Sequence, residues 1–241
     1  MIDWLRSASA DPQIVLDGKA LPIAIRRHPT ARRMILRLAA DASEVRVTMP
    51  RHGTARDAIA FAESRRDWLQ GQMERAEPRF CPLAQGALSY RGQTLRIEWD
   101  RAFPRKPELV DGAVRLGGPQ DTQLKRLQRW LEGQALDLMR ADLAYYCERA
   151  RTAPVPELRL SRAQRRWGSC SSKGTVRVNW RLVQAPDHVR RSVVAHEVAH
   201  LTHFDHSPAF HALLAQIYGP ELDAADRWLK NDGRSLYAAF G

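Results

Sequence analysis

His196-Glu197-Val198-Ala199-His200-Leu201-Thr202-His203-Phe204-Asp205-His206-Ser207-Pro208-Ala209-Phe210-His211 holds five of the chain's eight histidines. On an α-helix, residues four apart lie one above the other. His196 and His200 can therefore present two imidazole nitrogens to one ion at roughly 2.0–2.1 Å. Glu197 is one residue on, about 100° round the axis, where its carboxylate can reach a water on that ion without joining the ligands. The H-E-x-x-H spacing points to a hydrolytic site with Zn2+ as cofactor and Glu197 as general base. Polar helices produce the same three residue types by chance, so the flanking sequence has to discriminate.

Upstream, Ala185-Pro186-Asp187 suits a helix start: proline is tolerated in the first turn, and an aspartate favours the positive end of the helix dipole. Val189, Val193, Ala195, Val198, Ala199 and Leu201 then cover an arc broad enough for a helix buried on most sides. Burying Glu197 and two imidazoles without partners would cost several kcal/mol, roughly, whereas a metal satisfies them together. The metal reading is therefore preferred over a solvated polar helix.

A third ligand requires the helix to end. His203 is seven residues from His196, about 10.5 Å along a continuous helix, too far to share an ion with both upstream histidines. Ser207-Pro208 reads as the N-cap and first position of a new helix, running through Phe210, Leu213, Leu214 and Ile217 to Gly219-Pro220. His206, just before that cap, is the first choice for the third ligand. Glu221 is the alternative, as a carboxylate supplied by a downstream helix. His203 and His211 read as surface or supporting histidines, with His211 also able to contact substrate.

Several motifs together resemble a known family: Arg166-Trp167-Gly168-Ser169-Cys170-Ser171-Ser172-Lys173-Gly174, Val178-Asn179-Trp180-Arg181-Leu182, Ala185-Pro186, the H-E-x-x-H at His196, and His206-Ser207-Pro208-Ala209-Phe210. They look like the YgjP-like metallopeptidases, bacterial relatives of the SprT and WLM zinc proteases. The match is dense over about 157 to 215 and weaker over nearly the whole chain. The resemblance implies a zincin fold, zinc on His196, His200 and His206, Glu197 as base, and a protein or peptide substrate. Family members often carry tryptophan where this chain has His211, so the pocket lining differs there.

The 241 residues suffice for one large or two small domains, and 44% hydrophobic with 27% charged residues is ordinary for a globular chain. No apolar run approaches the 18 or so residues that span a bilayer, and Met1-Ile2-Asp3-Trp4-Leu5-Arg6 lacks a signal-peptide core, so a cytoplasmic address without membrane partners is expected. Cys81, Cys147 and Cys170 form neither a C-x-x-C pair nor an even set, which fits reduced thiols. No base partner marks Cys170 as a nucleophile.

Strands are expected at Gln13 to Leu16, Leu21 to Arg27, Met34 to Leu38 and Val45 to Met49, with a turn at Asp17-Gly18. Thr54 to Asp57 reads as a capping box opening one helix to Met73, with Trp68 in the core. Pro78 to Pro82 breaks the pattern. Short strands follow around Arg91-Gly92 and Asp111-Gly112, then a long helix from about Gln120 to Arg151. No internal repeat is evident.

In the site-forming half, Glu157 to Leu160 and Thr175 to Leu182 read as a hairpin about Ser172-Lys173-Gly174, the second strand being the candidate edge for an extended substrate. Trp167-Gly168 reads as packing and a tight turn. The expected fold is α+β: a β-rich region with one helix over 1–117, then a helical zincin-like metallopeptidase region over 118–241 with a short hairpin beside the active-site helix.

Net charge is +11, and nine basic residues face two acidic ones between 155 and 191. Such a field attracts acidic peptide or nucleic-acid phosphate. The alternative function is a basic nucleic-acid-binding protein with a structural zinc, or a protease recruited to nucleic acid. A solvated arginine-rich face is the plainer reading of the same charges. His211, Tyr218 or an arginine is the candidate to assist the metal at the developing oxyanion.

Overall fold

The computed structural model describes residues 12–39, 42–74, 80–172 and 174–240. The chain forms two compact units, Met1–Arg79 and Phe80–Phe240. Strands dominate the early chain and helices the later, the α+β arrangement expected. Among the described residues no helix is long and apolar enough to cross a membrane. Met1 to Arg6 and Pro78 lie outside the described residues.

The first unit holds β1 (Gln13–Leu16), β2 (Lys19–Arg27), β3 (Ile35–Leu38) and β4 (Val45–Met49), in spatial order β1-β2-β4-β3. Alternation sends Ile14, Leu16, Leu21, Ile23, Val45 and Val47 to one face, where they share a core with Ala58, Ala62 and Leu69. Those last three come from α1 (Ala55–Glu63) and α2 (Arg66–Glu74). The capping box is present: Thr54 Oγ1 accepts from Asp57 N at 3.2 Å and the Asp57 carboxylate accepts from Thr54 N at 2.8 Å.

The single helix expected to Met73 is two. At the break the Ser64 hydroxyl donates to the Phe61 carbonyl at 2.8 Å, and such side-chain bonds to the backbone compete with helix continuation. The shift in register leaves Trp68 47% exposed and buries Leu69 in its stead.

The second unit opens with the short helix α3 (Pro82–Gln85), then β5 (Ala87–Tyr90), β6 (Gln93–Trp99), β7 (Glu108–Val110) and β8 (Ala113–Leu116), in order β5-β6-β8-β7. This is the first sheet again. In both, an antiparallel hairpin is joined by a parallel pairing to a second antiparallel pair. The first turns match as well, Asp17-Gly18 at φ 48° and 76° and Arg91-Gly92 at φ 50° and 76°. The chain thus carries a structural repeat that its sequence does not display.

α4 (Gln123–Arg149) follows, burying Leu127, Leu131, Ala135, Met139, Leu143 and Tyr146 on one stripe. That stripe shares one core with Leu88, Leu95, Val114 and Leu116 of the second sheet. β5 to β8 and α4 thus share one core within the unit Phe80–Phe240.

A three-stranded sheet completes the scaffold: β9 (Leu158–Ser161), β10 (Gly168–Cys170) and β11 (Val176–Asn179), ordered β10-β11-β9. β11 pairs in parallel with β9 and antiparallel with β10. The hairpin about 171–174 is thus β10–β11, not β9–β11, and β11 is central, with β10 and β9 as the edges. Three α-helices follow, α5 (Asp187–Thr202), α6 (Pro208–Tyr218) and α7 (Leu222–Asn231), and a 3-10 helix at Gly233–Tyr237 comes last.

Candidate metal centre

α5 is fixed at its N-terminus by charge. Arg190, 3% exposed, donates from Nε to Asp142 of α4 at 2.8 Å and also pairs with Asp187. Arg91, from the β5–β6 turn, bonds the same Asp187 through Nε at 3.0 Å. Burial alone would raise the Asp187 pKa, but the Arg91 hydrogen bond and the Arg190 charge outweigh it and hold the carboxyl below its ordinary value. Two backbone bonds add to this lock, from Arg91 N to Val183 O at 2.7 Å and from Gly92 N to Gln184 O at 3.0 Å.

Along α5, Val189, Val193, Val194, Ala195, Val198 and Ala199 are buried, as the apolar arc requires. The helix ends at Thr202, and His203 is extended at φ −126°, ψ 107°, so the chain can turn back. Ser207 then caps α6, its Oγ accepting from Phe210 N at 3.4 Å, with Pro208 in the first turn. His206 sits on that return.

The result is a cluster of His196, His200 and His206, whose ligating atoms all lie within 4.8 Å of one another. His196 Nε2 is 3.2 Å from His200 Nε2 and 3.3 Å from His206 Nε2. Tetrahedral bonds of about 2.0–2.1 Å to zinc set ligand nitrogens roughly 3.3–3.4 Å apart, so the two edges that meet at His196 match such an ion. His200 Nδ1 lies 3.0 Å from the His203 carbonyl, which can only accept, so Nδ1 donates there and Nε2 is the nitrogen that faces the cluster. Burial, then the neighbouring imidazoles, lowers the His196 pKa to about 4, so the ring is neutral, as a ligand must be. Phe210 is buried beneath, its ring centroid 4.9, 4.5 and 4.9 Å from those of His196, His200 and His206. Three imidazole nitrogens above the buried Phe210 ring can hold a cation and leave a fourth position for water or substrate.

Glu197 is 4% exposed beside this cluster. Burial pushes its carboxyl up to about 7, against the Arg166 charge and the Cys170 backbone N–H, which both favour the anion. Its Oε2 is buried and has no hydrogen-bond partner. The side chain lies against β10: a Cβ built on Gly168 would stand 2.7 Å from both Cγ and Cδ of Glu197. A glycine inside a strand can signal such close approach, a meaning that the turn reading of Trp167-Gly168 overlooks. Trp167 is a packing residue, stacked 5.5 Å from Tyr237.

The other candidates fall elsewhere. Glu221 is exposed at the start of α7, outside the cluster. Tyr218 donates its hydroxyl to the His188 carbonyl at 2.6 Å, in the first turns of α5 and two helical turns from His196, and burial raises its pKa. His203 acts through its main-chain carbonyl. His211 stays close, its ring 6.3 Å from that of His206. The Cys170 thiol is held high by burial and by Glu197, which makes it a poor nucleophile.

Within 155 to 191, Arg159 pairs with Glu157, Arg162 with Glu132, and Arg190 and Arg191 with Asp142. Arg181 is buried and donates to the Phe240 carbonyl. Glu132 and Asp142, from outside this stretch, thus offset part of the positive field counted in the sequence.

A family model described as YgjP-like, metallopeptidase domain, matches residues 32–232. No curated protein and no solved structure matches the chain.

Proposed function

The chain belongs to the YgjP-like metallopeptidase family, and from that premise we propose that it is a zinc-dependent peptidase with His196, His200 and His206 as ligands and Glu197 as general base. One observation carries the ligand assignment: the Nε2 separations of 3.2 and 3.3 Å about His196, which match the edges of a tetrahedral zinc site. Zinc held there supplies Lewis-acid chemistry, polarising a peptide carbonyl and lowering the pKa of water from about 15.7 to roughly 7.

The protein's own part is positioning and proton transfer. Phe210 and the His203 carbonyl fix the imidazoles. Glu197, with a carboxyl near 7 and one oxygen without a protein partner, takes a proton from the attacking water and delivers it to the leaving amine. β10 is an edge strand beside this carboxylate, and its outer backbone groups other than the Cys170 N–H, which Glu197 takes, suit pairing with an extended peptide. The substrate class is therefore protein or peptide. Three ligands among the described residues favour this reading over a closed structural zinc, which takes four.

Glu197→Gln tests the base. The expected result is one metal per chain with kcat/KM for a peptide substrate lowered by about 10²-fold or more. Activity retained in Glu197→Gln would remove it from the proton transfer, and metal lost with it would make it a ligand instead.

A further inference from the structure

β10 is three residues long, and its first residue, Gly168, pairs with Val178 of β11. Gly168 is not among the glycines with positive φ, so its backbone there suits any L-residue. What it lacks is room. A Cβ on Gly168 would lie 2.7 Å from Glu197 Cγ and 2.7 Å from Cδ, with Oε1 nearer still. A clash with Oε1 alone could be relieved by turning the carboxylate. A clash with Cγ cannot, because Cγ is one bond from Cβ and moves only if the whole side chain changes rotamer or α5 withdraws.

We propose that Gly168 is a positioning residue for Glu197: its missing side chain is the slot in which the carboxylate lies against β10, facing the Cys170 N–H and directed by α5 beside the three histidines. The inference rests on Glu197 being the base. A strand glycine ordinarily weakens its strand, and here the weakness is offset by the placement of the acid. Displacement of a reacting group by about 1 Å can lower a rate by about 10²-fold, so one methyl group at 168 acts at long leverage on turnover.

The test combines a kinetic split with a stability cycle. Gly168→Ala is expected to keep one zinc per chain and nearly unchanged KM, with kcat reduced about 10²-fold. Its thermal midpoint falls in the wild-type background but not in Glu197→Ala, where the obstructing side chain is gone. Should Gly168→Ala fail to fold alone, the double variant is expected to fold. An equal fall in both backgrounds, or a double variant that also fails, would overturn the proposal by locating the cost in the strand. Unimpaired kcat in Gly168→Ala would overturn it too. An inactive wild type with the stability coupling intact would count against the peptidase reading, not against the contact.

Discussion

The sheets β1-β2-β4-β3 and β5-β6-β8-β7 share strand order, pairing sense and first-turn geometry, yet they serve different ends. In the first unit the turn Asp17-Gly18 is held locally. Gln70 of α2 donates to Asp17 at 2.8 Å, Arg66 reaches the Val15 carbonyl, and a Cβ on Gly18 would meet nothing within 4 Å. In the second, Arg91-Gly92 is bolted to the segment that opens α5, and a Cβ on Gly92 would stand 2.9 Å from Pro186 Cα. One module closes on its own helices; its twin braces the helix that carries His196, Glu197 and His200. A repeated fold is thus given a function by what its turn touches.

The sharpest contrast is expected between two aspartates. Asp142 compensates the buried Arg190 at the base of α5, and removing one partner of a buried pair costs about 3–5 kcal/mol. Asp187 still faces Arg190 in Asp142→Ala, so stability should fall towards the lower end of that range, about 3 kcal/mol, in a denaturant titration. Asp17→Asn, which keeps a residue tolerated at φ 48°, only weakens an exposed contact worth about 1 kcal/mol or less. Equal losses would break the distinction between the modules.

Next come the turn glycines. Both have φ of 76°, so alanine at either meets the left-handed penalty of about 1–2 kcal/mol. Gly92→Ala adds overpacking against Pro186, about 1–3 kcal/mol more, and should also impair turnover. Gly18→Ala should leave turnover unchanged.

The smallest effect is on acid stability. Asp187 has a folded pKa below its unfolded value of 3.8, so its contribution is present above that value and is lost as pH falls through the folded pKa. Arg91→Ala should flatten this loss below pH 3.8 in thermal midpoints of the whole protein, and an unchanged acid limb would show that the turn-to-helix pairing is idle.

Much of the centre was legible because local rules decided it. The i, i+4 histidines, the Ser207-Pro208 cap and the resulting return of His206 all follow from helix geometry. Asp17-Gly18, Arg91-Gly92 and Asp111-Gly112 were readable as turns for the same reason. β10 was not, since Gly168-Ser169-Cys170 has no apolar alternation and is a strand only because β11 and Glu197 flank it. The repeat was hidden because little beyond the turn glycine and the apolar alternation is shared. The break after Glu63 is marked by a hydroxyl bond from Ser64, which no periodicity encodes.

The most direct measurement is zinc per chain by elemental analysis, on the wild type, His206→Ala and Glu221→Ala. The account predicts one zinc in the wild type, one in Glu221→Ala, and a lost or much weakened ion in His206→Ala. Zinc that depends on Glu221 and survives without His206 would contradict the three-histidine centre.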